Sequence, residues 1–110
     1  MAALTPQTTT RAGIEPTYEA CGAGGDEFAN AGGELVHIKN GAGAEQIMTI
    51  VSQATVDGLA VADRTVAIPA GEERVVGPFP TATYNDGDGL VQLTYDAVVT
   101  LTIGIIKPGT

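Results

Sequence analysis

From Glu34 onward, short apolar runs are broken by Gly, Pro, Asn and Asp at intervals of roughly 8–12 residues, the rhythm of a sandwich or barrel. Fifteen Gly and six Pro in 110 residues interrupt the chain too often for long helices. Between the breaks the apolar residues are mostly Val, Ile and Ala, with abundant Thr but only two Phe, three Tyr and no Trp. Val, Ile and Thr are stiff at χ1 and suit a pleated surface better than a helix. The expected fold is all-β: one β-sandwich or jelly-roll-like domain of about seven or eight strands. It occupies residues 34–110, behind an extended N-terminal arm over residues 1–33.

The first strand is expected at Leu35–Lys39, ended by Asn40-Gly41, a strong hairpin signal because both residues tolerate positive φ. Gln46–Ser52 is apolar on both faces and reads as central. Asp57-Gly58 marks a turn, with an ambiguous piece at 59–62. Thr65–Ile68 and Arg74–Val76 flank Pro69-Ala70-Gly71-Glu72 and read as a hairpin, with Pro69 ending its strand or lying at an edge. Gly77-Pro78-Phe79-Pro80 reads as a rigid link between sheets. Asn85-Asp86-Gly87-Asp88-Gly89 is a turn into a strand over Leu90–Tyr95. The last strand, Ala97–Ile106, alternates Val99, Leu101, Ile103 and Ile105 with Val98, Thr100, Thr102 and Gly104. Burying four such side chains contributes about 1.5–3 kcal/mol each.

Residues 1–33 are poor in bulky apolar side chains and contain biased tracts, Thr8-Thr9-Thr10 and Cys21-Gly22-Ala23-Gly24-Gly25. Such a stretch offsets ordering entropy poorly on its own. The segment is either a plain frayed terminus or an arm whose spaced anchors, Leu4, Ile14, Tyr18 and Phe28, order along a partner, with Tyr84 expected exposed in a Pro-rich loop as a fifth contact. Removing the arm is expected to leave the sandwich folded.

Thirteen acidic residues against five basic ones give a formal net charge of −8. That balance opposes binding to nucleic acid, which needs a Lys/Arg surface, and docking to an anionic membrane. It suits a partner with a basic face. Cys21 is the sole cysteine, so no internal disulfide is expected. The opening Met1–Pro6 lacks the basic start and apolar run of a signal peptide, and no stretch approaches the roughly 18 apolar residues of a membrane span.

No residues assemble into a catalytic set, a cofactor site or a metal site, and the chain is not expected to be an enzyme. Ser52, the only serine, lacks the Gly-x-Ser-x-Gly elbow. A Cys21–His37 dyad would need a thiol held rigidly beside its base, and Cys21 lies in a Gly tract. One His and one Cys do not make a conventional four-ligand zinc site. Gly41–Gln46 resembles a phosphate loop but leads into a strand rather than a helix N-terminus. The 85–89 turn gathers three oxygen-bearing side chains but departs from the EF-hand spacing at Leu90. Tyr18, Tyr84 and Tyr95 are few for a sugar-stacking platform.

The stretch Phe28-Ala29-Asn30-Ala31-Gly32-Gly33-Glu34-Leu35-Val36-His37-Ile38-Lys39-Asn40-Gly41 resembles the core opening of small phage-encoded β-sandwich proteins. So does Val66–Glu72 running on to Gly77-Pro78-Phe79-Pro80 and Tyr84. The likeness covers most of the chain and is to head decoration (capsid cement) proteins of tailed bacteriophages. It implies a structural virion protein, assembled in the host cytoplasm, that joins the outside of the capsid and stabilises it against internal DNA pressure. The implied partners are the major capsid protein and further copies of the chain, as a trimer. Another virion role, at the head-tail junction or tail surface, is the nearest alternative. A glycan or host-surface binding module using Tyr84 and the 85–89 turn is the other.

Overall fold

The computed structural model describes residues 2–109. Along the chain it forms β1 (Ala2–Leu4), β2 (Gln7–Thr8), β3 (Glu19–Ala20), β4 (Asp26–Ala29), β5 (Leu35–Asn40) and β6 (Gln46–Ile50). There follow β7 (Thr55–Val56), β8 (Leu59–Ala60), β9 (Arg64–Ile68), β10 (Glu73–Val76), one helical turn α1 (Thr81–Tyr84), β11 (Leu90–Tyr95) and β12 (Leu101–Lys107). One sheet has the order β1-β4-β11-β6-β9, and the other β10-β5-β12-β2 with β3 also on β12. β7 and β8 pair only with each other. The all-β sandwich expected from the strand rhythm is the fold observed.

The core lies between the two larger sheets. Val36 and Ile38 from β5 and Leu101, Ile103 and Ile105 from β12 line one inner face. Phe28, Met48, Ile50, Ile68, Val91 and Leu93 line the other, each at most 1% exposed. Period-2 alternation places them there, since successive strand side chains point to opposite faces. Each buried side chain of this size contributes on the order of 1.5–3 kcal/mol. Phe79 closes the core edge-to-face between Phe28 and Tyr84, at centroid distances of 5.8 and 5.9 Å.

β12 starts at Leu101 rather than Ala97. Thr100 adopts φ 47° and breaks the extended backbone, leaving Val99 at 63% exposure outside the core. Leu101, Ile103 and Ile105 are buried as the alternation requires.

Both expected hairpins around the centre of the chain are instead crossings between sheets. β5 pairs with β10 and β12, whereas β6 pairs with β11 and β9. Neither Asn40 nor Gly41 uses positive φ. The Asn40 amide turns into the core, donating to the carbonyls of Ala44 (2.9 Å) and Ile68 (2.8 Å), and its Oδ1 accepts from Ala42 N and Gln46 Nε2. Gly41 is needed for close approach: a Cβ there would stand 2.9 Å from the Thr100 methyl. Likewise β9 and β10 belong to different sheets, so the turn at Pro69–Glu72, closed by Glu72 N to Pro69 O, carries the chain from one to the other. β9 does end before Pro69 and is an outer strand. The 77–80 link crosses between sheets as expected, from β10 to α1 and β11.

Residues 2–33, expected as an arm, enter both sheets. β4 lies between β1 and β11, and β2 and β3 share one edge of β12. Backbone ladder bonds hold this segment, poor in apolar residues as it is, because β11 and β12 offer it their edges. The boundary at residue 33 falls in the short connection between β4 and β5.

Candidate interaction surface

The chain leaves β6 toward α1. Val51 N donates to Gln92 O and Gln53 N to Thr83 O, so the segment after β6, α1 and the turn before β11 share one end of the sandwich. From that end rises the β7–β8 hairpin. Asp57 and Gly58 take φ 54° and 77°, the all-positive pair that matches a two-residue turn to the right-handed strand twist. Val56 pairs directly with Leu59, so the two side chains share one face. They are 64% and 72% exposed, and every residue from Thr55 to Ala60 is exposed. Two adjacent large apolar side chains on a hairpin bonded to no other strand form a knob turned to solvent.

Acidic groups share this end of the sandwich with the knob. Asp57 is at its tip, and Asp63 accepts from Ser52 N at 2.8 Å. Asp86 accepts from the backbone N–H groups of Leu90 (3.1 Å) and Asp88 (2.8 Å) and from the Gln92 amide (2.8 Å). Those donors, the Leu90 N–H foremost, hold the Asp86 carboxyl below its ordinary range, so it is charged. The exposed Asp88 completes the set. Arg64, the neighbouring cation, has its guanidinium 5.9 Å from the Tyr84 ring centroid.

The five residues expected to touch a partner are not gathered on one surface. Leu4, Phe28 and Tyr84 are 6%, 1% and 7% exposed and belong to the chain's own core. Tyr84 is the opposite of the exposed ring expected of a Pro-rich loop, because α1 turns it inward onto Phe79. Ile14 is half-buried in the connection between β2 and β3. Tyr18 lies across β12 at Gly104, where a Cβ would stand 3.1 Å from its ring. In the 85–89 turn the Asn85 amide is engaged with Asn30, donating to its carbonyl and accepting from its side chain, both at 2.8 Å. Among the described residues, no three His, Cys, Asp or Glu side chains are placed to hold a metal ion.

Two polar clusters escaped the sequence reading because their members are distant along the chain. On the outer face of β5, Tyr18 Oη lies 2.7 Å from His37 Nδ1, and His37 Nε2 lies 2.8 Å from Glu73 Oε1. A carboxylate only accepts, so His37 Nε2 donates to Glu73 Oε1. Lys39 Nζ sits 3.9 Å from the Tyr18 ring centroid. The spacing of His37 and Lys39 on one strand face was legible; the approach of Tyr18 and Glu73 was not. Inside, the Tyr95 hydroxyl donates to Asp26 Oδ2 at 2.7 Å, beside Cys21. Burial pushes the Cys21 thiol up to about 12, and burial also raises the Tyr95 phenol well above its ordinary range. The thiol is thus a packed, protonated group, the inert kind of cysteine.

No family model matches this chain, and neither the curated proteins nor the solved structures contain a match to it.

Proposed function

We propose that this chain is a structural binding protein that docks on the outside of a tailed-phage capsid, contacts the major capsid protein and stabilises the shell. The observation that carries the reading is the β7–β8 hairpin, which offers Val56 and Leu59 to solvent at 64% and 72% exposure. Two large apolar side chains held side by side in solvent mark an interaction site more strongly than the singly exposed Val75 and Val99. The body behind the hairpin supports the same role. With extents of 41 × 37 × 20 Å it is a thin slab suited to covering a surface. The residues that carry the resemblance to decoration proteins, Phe28–Gly41, Val66–Glu72, Gly77–Pro80 and Tyr84, include Phe28, Val36, Ile38, Ile68 and Phe79 of the core. The likeness therefore concerns how the sandwich is built, while the hairpin supplies the contact.

Virions of the phage that encodes the chain, purified through a density gradient, should contain it in many copies per particle. Its absence from intact particles would overturn the reading. A stacking site for sugars at Tyr84 is not supported, since that ring is buried against Phe79.

A further inference from the structure

We infer that the β7–β8 hairpin seats in an apolar cleft of a foreign protein whose rim carries Lys or Arg side chains; this rests on the binding role proposed above and names the chemistry of its partner. Three observations lead there. Val56 and Leu59 are opposed across the hairpin on one face, and their exposure makes them an anchor of the size an apolar pocket accepts. The hairpin's two strands bond only to each other, so it stands clear of the sheets and can enter a recess. The charge at this end of the sandwich is net negative: Asp57 at the tip, Asp63 at the base, and Asp86 and Asp88 on the turn before β11, against Arg64 beside Asp63. Asp86 is fixed in its charged form by the backbone donors of Leu90 and Asp88.

Electrostatics select among the possible occupants. A polyanion is repelled by these carboxylates, which removes nucleic acid. A second copy of the chain is disfavoured for the same reason, since each copy carries a formal net charge of −8. The chain's own exposed apolar recess, of about 260 Å³ and lined by Ala42, Ala44, Ala97 and Val99, also contains Glu45. Seating the hairpin there would bring Asp57 toward another carboxylate. A basic rim on a different protein satisfies both the apolar and the charged part of the surface.

The test uses the full-length chain and heads purified from the encoding phage without it, with co-sedimentation as the readout. Wild-type chain should bind. Val56→Thr with Leu59→Ser should weaken binding about tenfold or more while leaving the melting temperature unchanged. Asp57→Asn with Asp63→Asn keeps both side-chain acceptors but removes two charges. It should weaken binding at about 50 mM salt and flatten the loss of affinity seen on raising salt to about 500 mM. Apolar variants that bind like wild type would overturn the inference and leave the capsid role standing. Binding that depends on Val56 and Leu59 but not on salt would overturn the basic rim. Hairpin-dependent self-association in sedimentation velocity would replace the foreign partner with a second copy and overturn the inference. Failure of wild-type chain to bind the heads would remove both readings together.

Discussion

The Gln46 amide donates to Asn40 Oδ1 at 2.8 Å, joining two buried polar side chains that belong to opposite sheets. Gln46 also donates to Val99 O at 2.7 Å, while Asn40 donates to Ile68 O and Ala44 O. One pair thus ties the ends of β5, β6 and β9 to the loop before β12. Asn40→Ala should destabilise the fold by about 2–3 kcal/mol, because it leaves several buried partners without a bond. The double change with Gln46→Ala should cost clearly less than the sum of the single changes. Urea denaturation of the four proteins checks this, and additive effects would deny the coupling.

Phe79 is fully buried between Phe28 and Tyr84. Phe79→Ala should cost about 3–5 kcal/mol. Leu59→Ala on the hairpin should stay within about 0.5 kcal/mol of wild type. Thermal melts of the two variants should separate core from contact surface.

Gly104 is the place where Thr17 and Tyr18 cross β12. A Cβ there would meet Thr17 O at 2.9 Å and the Tyr18 ring at 3.1 Å. Gly104→Ala should cost about 1–3 kcal/mol by pushing the crossing segment outward. It should also break the contact of Tyr18 with His37, visible as a change in the imidazole NMR resonances. Unchanged resonances would mean that the crossing at Gly104 has room for a methyl group.

Two groups define how stability should vary with pH. The Cys21 thiol rises on folding from 9.0 to about 12, so folding favours its protonated form. Its stabilising contribution is whole below pH 9.0 and is lost as pH rises from there toward 12. Asp86 has the opposite sign: its lowered value means stability present above 3.8 and lost as pH falls through the folded value. Melting temperatures across both windows check the signs. Alkylation of Cys21 at pH 8 should be slow in the native protein and rapid in denaturant.

Deleting residues 1–30 removes β1 to β4, takes Leu4 and Phe28 from the core and leaves the edge of β11 unpaired. The truncated chain should lose its cooperative melt and aggregate through that edge. A soluble truncation melting like wild type would show that the segment is an appendage after all.

Much of the candidate surface was half legible. Asp57-Gly58 announced its turn, and the flanking Val56 and Leu59 are apolar, but nothing local says that a short strand pair stands outside the sheets. Tyr84 misled for the converse reason. A Pro-rich neighbourhood suggests exposure, whereas one helical turn swings the ring onto Phe79.

What the sequence determined by itself was the run of strands β5, β6, β9, β10, β11 and β12 and where the chain reverses between them. Alternation picked out Leu101, Ile103 and Ile105 of β12 as inward, and Gly, Pro and Asx residues marked the breaks. Tertiary structure alone decided the pairing. A turn reverses the backbone equally well whether the next strand bonds beside the last or stacks across from it. That choice depends on which apolar faces meet between distant segments, and on polar clamps such as Asn40 with Gln46. The placement of residues 2–33 followed the same rule, since their ladder bonds exist only once β11 and β12 present their edges.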